Sequence, residues 1–315
     1  MLSRTADSLF WLARYVERAE NVARILSAGH RMASLAGETG RVSNEWQSTL
    51  IAAGCEPAYR DIYGEIASDS AIDFLVRDPR NPSSIVSCFE RARRNARQVR
   101  TALTVDMWET LNESWLELSK FELAKLSPDA MLRFLEWVKQ RSLLFGGACA
   151  NTMLRNDAFW FVEVGTYLER ADNSARILDV KYHVLLPQGE GVGGAVDYAQ
   201  WESILRAFSA ARAYHWLYHE RITPWHVAEL LMLRPEMPRS LLHCMTQVSR
   251  ALDELATHYG RRCECHRLAG ELHARLRFAR VEAVFQEGLH AFLTRFVDDG
   301  VRLGRTISEC YLGHD

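Results

Sequence analysis

The sequence predicts an all-α fold: a helical bundle built from two internally duplicated halves with pseudo-twofold symmetry. Three observations carry this. Apolar residues recur at helical spacing along most of the 315 residues, and no stretch alternates with the two-residue rhythm of a half-buried strand. One twelve-residue segment also occurs twice. Tyr15-Val16-Glu17-Arg18-Ala19-Glu20-Asn21-Val22-Ala23-Arg24-Ile25-Leu26 returns 152 residues later as Tyr167-Leu168-Glu169-Arg170-Ala171-Asp172-Asn173-Ser174-Ala175-Arg176-Ile177-Leu178, identical at nine of twelve positions.

In chain order, Leu9, Leu12, Val16, Ala19, Ala23 and Leu26 mark a first long helix over about 3–36, closed by Gly37 and Gly40. Trp46, Leu50 and Ile51 place a second at about 43–54, followed by short helices near 57–66 and 69–77. Asn81-Pro82 reads as an N-cap followed by proline in the first turn, where its missing N–H costs nothing. The helix it starts should reach about Leu103. Another covers 105–125, and Ser127-Pro128 repeats the cap signal for a helix to about 153. The second copy begins near Asp157 and ends before Pro187. Gln188 to Gly194 is glycine-rich but lacks the lysine of a P-loop and follows a helix, so it reads as a connector. Helices should then cover about 198–219, 224–233 (opened by Thr223-Pro224), 238–258, 266–279 and 280–311.

The duplication reaches beyond the opening segment. Trp46-Gln47-Ser48-Thr49-Leu50 matches Trp201-Glu202-Ser203-Ile204-Leu205 at an offset of 155 residues. Pro79, Pro82, Ser84 and Cys88 match Pro235, Pro238, Ser240 and Cys244 at 156. The chain is therefore expected to be a single domain, 1–315, with repeats of approximately 1–153 and 154–315.

A formal charge of −2, with 25% charged residues, gives no field that would attract nucleic acid. The basic clusters Arg91-Ala92-Arg93-Arg94 and Arg261-Arg262 read as solvated helix faces. No run of about 18 apolar residues predicts a membrane span. The N-terminal residues lack a signal-peptide pattern, and seven scattered cysteines suit reduced thiols in the cytoplasm.

The chemistry concentrates in the repeated segment. Positions i, i+3, i+4 and i+7 share a helix face. Glu17, Glu20, Asn21 and Arg24 form one stripe, and Glu169, Asp172, Asn173 and Arg176 form its counterpart. On this reading Arg18 and Arg170 point elsewhere. The remaining faces are apolar, so the charges should be buried and must be paired. Three uses fit: a register-fixing ion-pair network, a polar pocket whose acids could hold Mg²⁺ and whose arginines could hold carboxylate or phosphate, or a groove for a partner. No Glu-x-x-His pair supports a di-iron site, and no nucleophile elbow occurs. His215 and His219 are four apart and could ligate zinc, but no third ligand is evident and Trp216 and Tyr218 suggest a packed helix. Cys263-Glu264-Cys265-His266 lacks the second cysteine pair of a zinc finger.

The opening Met1-Leu2-Ser3-Arg4, the run from Phe10 to Asn21, the Glu169-Arg170 pair, Thr223-Pro224, Pro238-Arg239-Ser240 and the closing Gly288-Leu289-His290 resemble the bacterial alpha-E family. That family is named for an all-helical domain with a repeated Glu-Arg motif. The resemblance implies company with a circularly permuted ATP-grasp protein and a transglutaminase-like peptidase, in a pathway that makes or modifies peptide-like amide bonds. The expected role is an accessory or substrate-presenting protein. The alternative is an enzyme with a metal-assisted carboxylate site between the two Glu-Arg helices, acting on amide or acyl-phosphate substrates. Glu20 is matched by the shorter Asp172, so a site shared by the two copies would be asymmetric.

Overall fold

Proline is absent before Pro57, and α1 (Ser3–Glu38) runs unbroken for 36 residues. The structure is a computed structural model describing residues 1–38, 45–183 and 194–313. After α1 come α2 (Glu45–Ala52), α3 (Glu56–Tyr63), α4 (Ser68–Val76), α5 (Ile85–Gln98), α6 (Val105–Leu118), α7 (Pro128–Thr152) and α8 (Asp157–His183). The second part holds α9 (Ala195–Ala207), α10 (Ala211–Tyr218), α11 (Pro224–Ala228), α12 (Leu241–Tyr259), α13 (Glu264–Arg277), α14 (Val281–Glu287) and α15 (Leu289–Ile307). No strand occurs among the described residues, so the class is all-α.

The two copies of the repeated segment lie on α1 and α8, which pack along each other at the centre. Against α1 also lie α5 and α7, and against α8 lie α12 and α15. Because α1 is covered on several sides, Leu9, Phe10, Leu12 and Leu26 are all fully buried. Each such side chain contributes about 1.5–3 kcal/mol by leaving water. The approach is close at Gly165, where an added Cβ would stand 2.4 Å from the Phe10 carbonyl oxygen and 3.2 Å from the Ala13 Cβ. Only glycine permits the backbones to come that near.

Several expected boundaries move for identifiable reasons. Asn81 does not cap α5. Its amide nitrogen donates to the Phe74 carbonyl and its carbonyl accepts from the Ser83 N–H, so it shapes the preceding turn. Ser84 is the cap, its hydroxyl accepting from the Ser87 N–H. Likewise α12, expected from 238, starts at Leu241 and is capped by Ser240. Ser127 and Thr223 cap α7 and α11 as their proline-led signals suggested. The helix expected at 198–219 is two, split where Ser209 takes a left-handed φ of 57°. The one expected at 280–311 is broken by Gly288 at φ 103° and ends in a π-helical turn, Ser308–Leu312. Residue Gly40 and the glycine-rich connector before Gly194 lie outside the described residues.

The thiol expectation needs a correction. Cys263 and Cys310 form a disulfide across 47 positions. Nothing in their spacing signals it, because only the packing of α13 against the end of the chain brings them together. The other five cysteines are buried and free.

Candidate functional site

The centre of the molecule is a reciprocal pair of ion pairs between α1 and α8. Arg18 reaches across to Glu169, donating from Nε to Oε1 at 2.6 Å and from Nη2 to Oε2 at 3.0 Å. Arg170 reaches back to Glu17, donating from Nε to Oε1 at 3.0 Å and from Nη2 to Oε2 at 2.8 Å. Each is a two-pronged guanidinium–carboxylate contact, the strongest geometry available to such a pair. The single-helix reading that sent Arg18 and Arg170 elsewhere is thus corrected. A helix packed on several sides has no outward face, and both members of each Glu-Arg dipeptide meet the opposite helix.

Two further arginines complete the cluster. Arg14 donates from Nε to Glu169 Oε2 at 2.6 Å. Arg239, from the turn before α12, bridges two acids of α1: Nη1 to Glu17 Oε1 at 2.7 Å and Nη2 to Glu20 Oε1 at 2.5 Å. Glu20 also accepts from Arg24 at 2.7 and 2.9 Å and from the Ser142 hydroxyl of α7 at 2.7 Å. Arg24 continues to the Ala207 carbonyl at 2.6 Å and the Ser209 hydroxyl at 3.2 Å. The left-handed break between α9 and α10 is therefore stitched to α1. On α8, Arg176 pairs with Asp172 at 2.7 Å in a half-exposed setting. Asn21 and Asn173 are buried, and the Asn173 amide nitrogen has no partner among the described residues.

The electrostatics follow from this count. Burial pushes the Glu17 carboxyl up, but Arg170 and Arg239 outweigh it and hold it down at about 2. Burial likewise opposes Glu169, and Arg18 and Arg14 bring it to about 2. Arg24 is shifted down by burial and by Arg239, with Glu20 opposing. Both motif glutamates stay ionised and are committed. A Mg²⁺ ion needs carboxylate, carbonyl or water oxygens free of competing cations. Here each motif glutamate already faces two guanidinium groups, so the residues do not fit the ion.

A cavity of about 320 Å³ opens beside the cluster, between α1, α7 and α8. Its inner wall includes Glu17, Glu20 and Arg170, but not Arg24, Glu169 or Arg176. Glu163, Thr166 and Tyr167 of α8 line it, and Gly146 lies on its α7 side. On the opposite flank of the helix pair a smaller cleft of about 270 Å³ is lined by Trp11, Arg14 and Asp172, with Gly304 of α15 behind. Arg14, Ser142, Glu163 and Arg239 escaped the reading of the sequence. The periodicity of one helix cannot reveal what another element brings to it. For Arg14 and Arg239 there was a signal, their places in the Phe10 to Asn21 run and the Pro238-Arg239-Ser240 segment.

The histidine candidates are not brought together as a helical pair. α10 ends at Tyr218, and His219 follows it in a left-handed conformation at φ 52°. Both histidines are exposed, and no group of three or more metal-ligating side chains occurs among the described residues. In the Cys263–His266 stretch, Cys263 is in the disulfide, and the His266 ring accepts from the Cys263 N–H at 2.9 Å while its other nitrogen lies 3.1 Å from the Leu252 carbonyl.

An uncharacterized protein of Mycobacterium bovis is 25% identical over 320 residues, a match covering 93% of this chain and 35% of that protein. Uncharacterized proteins from two strains of Mycobacterium tuberculosis match over the same shares of each chain, at 25% and 24% identity. The chain thus spans about a third of the length of these relatives. No solved structure matches it significantly. The model of a family described as a predicted alpha-helical domain with a conserved ER motif matches residues 1–312. Glu17-Arg18 and Glu169-Arg170 are the Glu-Arg pairs just described, and the chain belongs to the alpha-E family.

Proposed function

We propose that this chain is a non-catalytic helical accessory protein that presents substrate to an ATP-grasp amide ligase. A transglutaminase-like peptidase would act in the same peptide-like amide pathway. The observation that carries this reading is the closure of the Glu-Arg cluster. Glu17 and Glu169 are each held by two arginines, which leaves them no role as general base or metal ligand and makes the motif a clasp between helices. Function then falls to surfaces and cavities around the clasp. The greater length of the mycobacterial relatives is in keeping with a domain that works beside other parts.

The same reading holds that the chain is one domain of two repeats, about 1–153 and 154–315. Support comes from features recurring at near-constant offset. The caps Ser84 and Ser240 stand 156 residues apart. Tyr59 and Tyr214, 155 apart, each turn a buried hydroxyl onto a later carbonyl and amide: Glu65 and Ala67 for one, Arg221 and Thr223 for the other. The proposed compartment is the cytoplasm; no helix among the described residues is long and apolar enough to cross a membrane.

Co-purification tests the central claim. The tagged chain, co-expressed with an ATP-grasp amide ligase from the same source, should retain that protein through size exclusion and raise its ligase turnover. Separate migration together with indifferent ligase activity would end the proposal. A second reading, catalysis on an amide or acyl phosphate, draws on Glu163, an acid at the cavity with no ion-pair partner among the described residues. On that reading Glu163→Gln abolishes a measurable hydrolysis or ligation without changing the melting temperature.

A further inference from the structure

Every charged group lining the cavity between α1, α7 and α8 is held in a close ion pair except one. Glu17 is held by Arg170 and Arg239, and Glu20 by Arg24 and Arg239. Glu163 makes no hydrogen bond or ion pair among the described residues; it is half-buried, and burial shifts its carboxyl up against the opposing, more distant charges of Arg170, Arg155 and Arg250. It stands one turn from Thr166 and Tyr167 on the same face of α8, and all three line the cavity. Neither Thr166 nor Tyr167 has a hydrogen-bond partner for its hydroxyl among the described residues. A carboxylate and two hydroxyls offer acceptor oxygens from one helix face, and an ammonium group is three donors with no acceptor.

The other walls set size and shape. Ala13, Val16 and Val162 supply an apolar floor. At the mouth α7 carries Gly146 and Gly147, where an added Cβ would meet nothing within 4 Å. Glycine inside a helix costs about 0.5–1 kcal/mol relative to alanine, and no packing requires it here. The two glycines keep the entrance wide. At about 320 Å³ the cavity suits a ligand of only a few heavy atoms beyond the ammonium.

We propose that this cavity binds a small primary ammonium compound with a short aliphatic body, its charge answered by the Glu163 carboxylate. The inference goes beyond the accessory role and does not depend on an amide ligase as partner. The test is ligand-observed NMR with the full chain and n-butylammonium chloride, with butyrate and butanol as controls. Butylammonium should bind, butyrate should not, and Glu163→Gln should weaken binding at least tenfold. Since Glu163 supports no ion pair, that variant should fold normally. Thr166→Val, expected to weaken binding about threefold, serves as the second probe. Absence of binding up to 100 mM ligand, equal binding of butyrate, or binding unchanged in Glu163→Gln would each overturn the proposal.

Discussion

The Glu169 carboxylate shows what one buried side chain can control. It receives Arg18 with both oxygens and Arg14 with one. Glu169→Gln keeps the shape and removes the charge, leaving two guanidinium groups without their acid. Losing one member of a buried ion pair costs about 3–5 kcal/mol, so the urea midpoint should fall well below the parent value. The pH dependence has a definite sign. Glu169 titrates at about 2 when folded, against an ordinary value of 4.5. Between those values the unfolded chain binds the proton and the folded chain does not. The contribution is therefore complete above about pH 4.5 and is lost as pH falls toward 2, on the order of 3 kcal/mol. Denaturation at pH 6, 4 and 3 should show a progressive loss in the parent, and a flatter profile in Glu169→Gln.

Helices carry the next predictions. Gly165→Ala places a methyl group 2.4 Å from a backbone oxygen of α1, so the central pair must spread, at about 1–3 kcal/mol. Thermal melting should report this, whereas Gly147→Ala, with open space at its Cβ, should be neutral or slightly stabilising. Removing the α12 cap with Ser240→Ala should cost about 1 kcal/mol. How far the elements were legible in the sequence depends on range. Ser127-Pro128 and Thr223-Pro224 were readable because cap and proline act within one turn. Asn81 misled because its side chain is spent on Phe74, seven residues back. The break at Ser209 carries no glycine or proline, and the side chain that holds it, Arg24, comes from α1, 185 residues earlier. The stripes Glu17–Arg24 and Glu169–Arg176 could be read from spacing. The pairing of Arg14, Arg239 and Ser142 with them could not, since contacts across helices leave no periodic trace.

At the scale of the whole molecule, two tethers join distant parts of the chain. The Cys263–Cys310 bond closes a 47-residue separation. The chain-entropy model assigns such a loop about 4 kcal/mol. Reductant should lower the melting temperature of the parent by several degrees and leave a Cys263→Ser variant untouched. The second tether is the α1–α8 clasp, and it has a consequence in time. Arg18 finds Glu169 only 151 residues further along. At roughly 5–20 residues per second of synthesis, α1 waits about 8–30 s on the ribosome before its partner has been made. Throughout that wait its motif charges have no acids or bases from α8 to meet, so water must keep solvating them. The central helix of the finished protein is synthesised long before the partner that seals it.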